Sequence, residues 1–190
     1  MSFIFRPHPD LIGQHAFLSP SRYSWTNYDE DKLINSYSKY TAAQRGTELH
    51  DFAATCIRLK QKLPASKKTL NMYVNDAIGF RMVPEQPLFF SENCFGTCDA
   101  ISFKNNFLRI HDLKTGETPA SLAQLEIYAA IFCLEYKIKP GAIKIELRLY
   151  QSNDIQVEHP EVDVILPITD KIITFDRVIS KMKLEAGIDG

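Results

Sequence analysis

The chain lacks an apolar run of the about 20 residues that a membrane helix needs. It also lacks a surplus of charge: 22 Lys and Arg stand against 23 Asp and Glu, a formal net charge of −1. A strongly basic nucleic-acid coat is therefore excluded, and any basic surface must be local. Met1–Pro9 carries no basic stretch leading into an apolar run, the pattern of a secretion signal, so a cytoplasmic location without membrane contact is expected. Four cysteines (Cys56, Cys94, Cys98 and Cys133) are too few for a disulfide framework in a chain of 190 residues and read as reduced thiols. Internal repeats, low-complexity tracts and long linkers are missing as well. What remains is an ordinary globular composition, 45% hydrophobic and 24% charged. Its length suits one domain over 1–190 with a core that needs no staples.

Along that domain the pattern changes period. Residues 1–18 read as an irregular arm. Ser19–Trp25 reads as a short capped helix, with Ser19 at the N-cap and Pro20 at the first helical position. A long helix is predicted from after Thr41 to about Lys62, ended by Pro64, with Arg58, Lys60, Lys62, Lys67 and Lys68 clustered near its end. A second helix is predicted over 69–80. Segments 87–91, 97–104 and 107–113 are short and apolar-rich, as strands are, and Asn105-Asn106 suits a tight turn because Asn tolerates positive φ. A helix over 119–138, an alternating strand over 143–150, a short strand near 155–158 and a last helix over about 168–186 follow. The expected fold is α/β (α+β), a central mixed sheet flanked by helices.

The hairpin carries the chemistry. A two-residue turn pairs Lys104 with Phe107 and Phe103 with Leu108. Continued, it sets Asp99 opposite Asp112, with Cβ atoms about 4.5–5.5 Å apart, on the face that holds Ile101, Phe103, Leu108 and Ile110. Two carboxylates at the end of an apolar face resist joint ionisation, and a hard divalent cation relieves them. Lys114, two residues beyond Asp112, projects to the same side and can orient a water or lower its pKa. From geometry alone a solvated charge cluster at a sheet edge remains open.

Four segments carry a resemblance. They are Gly46-Thr47-Glu48-Leu49-His50-Asp51-Phe52-Ala53, Gly96-Thr97-Cys98-Asp99-Ala100-Ile101, Asp112-Leu113-Lys114-Thr115-Gly116 and Gln124-Leu125-Glu126-Ile127-Tyr128-Ala129. In order and spacing this resembles the nuclease core of the RecB-like branch of the PD-(D/E)xK superfamily, with the core motifs inside 46–150. The resemblance implies a restriction-endonuclease-like core and a metal-dependent deoxyribonuclease, an exonuclease of phage or bacterial recombination and repair leaving 5′-phosphates. One or two Mg²⁺ or Mn²⁺ ions would be held by His50, Asp99, Asp112 and the carbonyl of Leu113. Lys114 would position the attacking water, and Gln124 and Tyr128 would contact the phosphate or support Lys114. DNA is the implied partner. A homo-oligomer or a recombination partner protein would supply the grip that net charge does not.

Each residue has a plainer alternative. His50 shares a helical stripe with Gly46, Ala53 and Ile57 and could be a buried core histidine. Gln124 and Tyr128 could be a packed helix-face pair, and Glu48 a solvated glutamate. Lys144 and Arg148 could face phosphates or solvent. Tyr23 and Trp25 could stack on a base or pack inward. Relatives with an iron–sulfur cluster hold it with one cysteine before the histidine motif and three near the C-terminus. No cysteine precedes His50 and none follows Cys133, so no such cluster is expected. The alternatives in function are an endonuclease or junction resolvase with the same site, and a non-catalytic nucleic-acid-binding module on the same fold.

Overall fold

A computed structural model describes residues 16–116 and 118–186; most of the expected N-terminal arm lies outside them. By its own contacts the chain divides into two compact units, Met1–Arg45 and Gly46–Gly190. The division falls inside the first long helix, α1 (Glu30–Leu59). In the first unit, Pro20–Asn27 forms a 3-10 helix, and Trp25 Nε1 donates to the Ser19 carbonyl at 3.0 Å. Ser19 holds the N-cap position without a capping bond, its hydroxyl lying 2.8 Å from that of Ser21. α1 begins well before the expected Thr41. Glu30 and Asp31 in its first turn favour the helix N-terminus, and no proline interrupts it.

The second unit is an α/β domain of five strands: β1 (Val83–Ser91), β2 (Cys94–Lys104), β3 (Phe107–Leu113), β4 (Lys144–Gln151) and β5 (Asp154–Glu158), in that spatial order. β1, β2 and β3 form an antiparallel meander. β4 pairs parallel with β3, and β5 antiparallel with β4, so the sheet is mixed. The β2–β3 turn is Asn105-Asn106 with φ of 52° and 57°, and Lys104 pairs with Phe107, the register that the sequence sets.

One sheet face is covered by α3 (Ala123–Glu135) and α4 (Val162–Glu185) over Leu88, Cys98, Ile101, Leu108, Ile110 and Leu147. The other face is covered by the end of α1 (Ala53, Cys56, Ile57) and α2 (Thr69–Gly79), over Ala100, Leu113 and Tyr150. α3 starts four residues after Pro119. Gln151 holds the chain before it in a non-helical path, donating to the carbonyls of Gly116 and Thr118 and accepting from Ala120 N. α4 starts six residues earlier than expected and contains Pro167. Among the described residues no helix is long and apolar enough to cross a membrane.

Candidate metal centre

The β2–β3 ladder ends at Ala100↔His111. The expected direct opposition of Asp99 and Asp112 is therefore not part of it. Instead the Asp99 side chain takes over from the strand backbone: Leu113 N donates to Asp99 Oδ2 at 2.8 Å. The same oxygen lies 3.3 Å from His50 Nδ1. The β1–β2 ladder also breaks here. It pairs Pro84↔Ala100 and Gln86↔Cys98 but skips Glu85 and Asp99 between them. Glu85 has φ 51°, a left-handed conformation that costs a non-glycine residue roughly 1–2 kcal/mol. Cys98 packs against α3, whereas Ala100 packs in the core beneath α1. Regular alternation would put Asp99 and Ala100 on opposite faces. With the break both face α1, so Asp99 leaves the Ile101, Leu108 and Ile110 face on which the hairpin register was expected to put it, and reaches His50.

His50, Glu85 and Asp99 thereby bring one imidazole nitrogen and two carboxylate oxygens within 4.8 Å of one another, a group that could hold a metal ion. Hard oxygen donors with one imidazole fit a divalent cation. The hydrogen bond to Asp99 pushes the His50 pKa up, against its burial. Burial and then the Asp99 charge push Glu85 up. Asp112 borders the group, and burial followed by the Asp99 charge likewise raises its pKa.

Lys114 Nζ donates to Asp112 Oδ1 at 3.1 Å and to Gln124 Oε1 at 2.8 Å. It also stands 3.0 Å from Asp112 Oδ2, but off the bonding direction. That oxygen is thus buried without a hydrogen-bond partner despite the short ion-pair distance, the condition in which a carboxylate gains most from a cation. The Tyr128 hydroxyl donates to the Thr97 carbonyl at 2.6 Å.

Two glycines let these parts approach. A Cβ on Gly46 would stand 3.0 Å from Thr115 Oγ1, so that hydroxyl would have to give by a few tenths of an ångström. A Cβ on Gly96 would meet the Tyr128 ring at 3.1 Å. Both lie in the segments that carry the resemblance, and at each the close approach leaves little room for a side chain.

The structure thus brings together His50, Asp99, Asp112, Leu113, Lys114, Gln124 and Tyr128, although Leu113 participates through its N–H. Sequence reasoning missed Glu85. Its signal was an acid between Pro84 and Pro87 in a segment otherwise suited to an edge strand. Glu48 and Lys144 are exposed, as is Tyr23. Arg148 is turned inward rather than toward a ligand: it donates to Glu146 Oε1 at 3.0 Å and Asp76 Oδ2 at 3.2 Å. All four cysteines are free thiols, Cys56, Cys98 and Cys133 buried. A concavity of about 540 Å³ opens beside Lys114, with Leu49, Lys68 and Thr115 in its wall. An apolar one of about 520 Å³ between α3 and α4 contains none of the clustered acids. Comparison with family models, curated proteins and solved structures gives no match.

Proposed function

We propose that this chain is a divalent-metal-dependent nuclease that hydrolyses DNA phosphodiester bonds on a restriction-endonuclease-like core. The observation that carries the reading is one cluster: His50, Glu85 and Asp99 within metal-binding reach, next to the buried carboxylate of Asp112. When bound there, one or two Mg²⁺ or Mn²⁺ ions supply charge neutralisation at the scissile phosphate and acidify an attacking water. His50, Glu85, Asp99 and Asp112 supply the side-chain donors, and the Leu113 carbonyl is a further donor at the end of β3.

Lys114 has the catalytic role. Of its three N–H donors, one is held by Asp112 and one by Gln124. The third is left to orient a water or meet a phosphate oxygen. Gln124 is a positioning residue, since it acts through Lys114. Tyr128 is one also: its hydroxyl proton goes to the Thr97 carbonyl, which fixes β2 two residues from Asp99. The chemistry calls on no iron–sulfur cluster. The motif order supports an exonuclease of phage or bacterial recombination and repair, working in the cytoplasm as an oligomer or with a partner protein.

The test is hydrolysis of linear and covalently closed circular DNA with Mg²⁺ or Mn²⁺, beside Lys114→Ala. Metal-dependent loss of linear DNA alone, absent in the variant, supports the exonuclease. Cutting of circles indicates the endonuclease alternative. A wild-type protein that binds DNA but is as inert as the variant in every metal overturns the enzyme reading and leaves the binding module.

A further inference from the structure

Phe89 and Phe95 face each other across the β1–β2 ladder. They are 47% and 65% exposed, with ring centroids 6.2 Å apart and planes 28° from parallel. Two large rings held open to solvent side by side are unusual for a strand pair that has a core to pack into. Alternation fixes the side they take. Leu88 and Cys98 face the α3 core, so Phe89 and Phe95 project from the opposite side, the side toward which Glu85 and Asp99 turn. Phe89 is four residues from Glu85 and Phe95 four from Asp99, at most about 13 Å along the strands. Between rings and acids lie Pro87 and Thr97, both exposed and low in profile.

We propose that Phe89 and Phe95 form a stacking platform for a base of single-stranded DNA whose backbone then runs along the β1–β2 ribbon to the acid cluster. The inference rests on the nuclease reading and names its substrate class. Every base has a flat π-face that an exposed phenyl ring can cover. In duplex DNA those faces are covered by neighbouring bases, so only an unpaired base can use the platform. The span of about 13 Å corresponds to about four stacked-nucleotide rises of 3.4 Å and to fewer nucleotides in an extended strand. The stacked base therefore lies a few nucleotides from the bond that is cut. The chain's near-neutral charge agrees with a grip that draws on stacking as well as on phosphate contacts.

The test uses single-stranded oligonucleotides of about 12 nucleotides, each with one 2-aminopurine at a successive position. They are titrated with full-length protein in Ca²⁺, and the strands are checked intact afterwards. Wild type is expected to quench one position, or two adjacent ones, strongly. Phe95→Leu is expected to abolish that quench and weaken single-strand binding roughly tenfold, with blunt-duplex binding unchanged. Phe95→Trp is expected to restore both. Single-strand binding by Phe95→Leu equal to wild type overturns the platform, as does a Phe95→Leu effect confined to oligomeric state. If wild type cuts duplex but binds no single strand, the platform fails and the nuclease stands. If ring-dependent quenching appears but no metal gives hydrolysis, the nuclease reading fails and the platform stands.

Discussion

Asp99 Oδ2 accepts the backbone N–H of Leu113 at 2.8 Å and sits 3.3 Å from His50 Nδ1. One oxygen thus closes the gap where β2 and β3 part and also faces α1. Among the described residues the bonds recorded to the Asp99 carboxylate fall on Oδ2, not Oδ1. On the nuclease reading Asp99 would have two tasks, a structural one on Oδ2 and a chemical one on Oδ1.

Those tasks separate by substitution. Asp99→Asn keeps an oxygen for Leu113 N and loses the charge. It is expected to unfold in urea within about 1 kcal/mol of wild type while hydrolysing DNA roughly a hundredfold or more slowly, since several kcal/mol of cation-borne stabilisation is lost. Asp99→Ala also strands the Leu113 N–H and is expected to lose about 1–3 kcal/mol of stability beyond the asparagine variant. Equal stability of the two variants contradicts the structural task, and full activity of the asparagine variant contradicts the chemical one.

Gln124 tests the tether on Lys114. Gln124→Ala leaves the ammonium its bond to Asp112 and removes the 2.8 Å partner on α3. The expected result is a kcat lowered roughly ten- to a hundredfold, with Mn²⁺ affinity in a binding titration unchanged. A loss of metal affinity with kcat preserved would move Gln124 out of the positioning role.

Another residue of β3, His111, is expected to contribute to acid sensitivity. His111 is fully buried, its Nδ1 is 3.3 Å from the Tyr150 hydroxyl, and its Nε2 has no partner. Burial, then Arg148 and Arg109, push its pKa down to about 3. The folded value lies below the unfolded one of about 6.5, so the unfolded chain takes up the proton first. The neutral histidine's contribution is therefore complete above pH 6.5 and is lost as pH falls toward 3, by up to about 1.4 kcal/mol per pH unit. His111→Gln, neutral throughout and able to donate an amide N–H to the Tyr150 hydroxyl oxygen, whose own proton goes to Asp76 Oδ2, is expected to flatten the pH dependence of urea stability between pH 6.5 and 3. An unchanged slope would assign acid sensitivity to other groups.

How much of this was legible in the sequence depends on whether the signal was local. The β2–β3 hairpin was legible because two asparagines admit the positive φ that a two-residue turn needs, and the turn then sets the register. Lys114 and Asp112 fell on one side of β3 for the same reason of parity. The first eleven residues of α1, Glu30–Tyr40, were missed although Leu33, Tyr37 and Tyr40 recur at helical spacing, because the stripe is short and its side chains are largely exposed rather than part of the core. Pro119 misplaced the start of α3, because the Gln151 side chain, a distant partner, holds the preceding segment out of the helix. Glu85 and the turning of Asp99 toward α1 share one cause: a left-handed residue in an edge strand breaks the alternation from which faces are counted. The sequence therefore pointed to residues that the fold gathers near one another, and not to the geometry that joins them.

The most direct measurement is DNA hydrolysis and bound Mn²⁺ followed together, on metal-stripped protein titrated with Mn²⁺, for wild type, His50→Ala and Glu85→Gln. The expected result is no cutting at zero metal, with activity rising in step with occupancy. Both curves should move to about ten- to a hundredfold higher Mn²⁺ in the two variants. Full-rate hydrolysis by the stripped protein, or a saturated site with no cutting of any DNA, contradicts the assignment of this cluster as a nuclease metal centre.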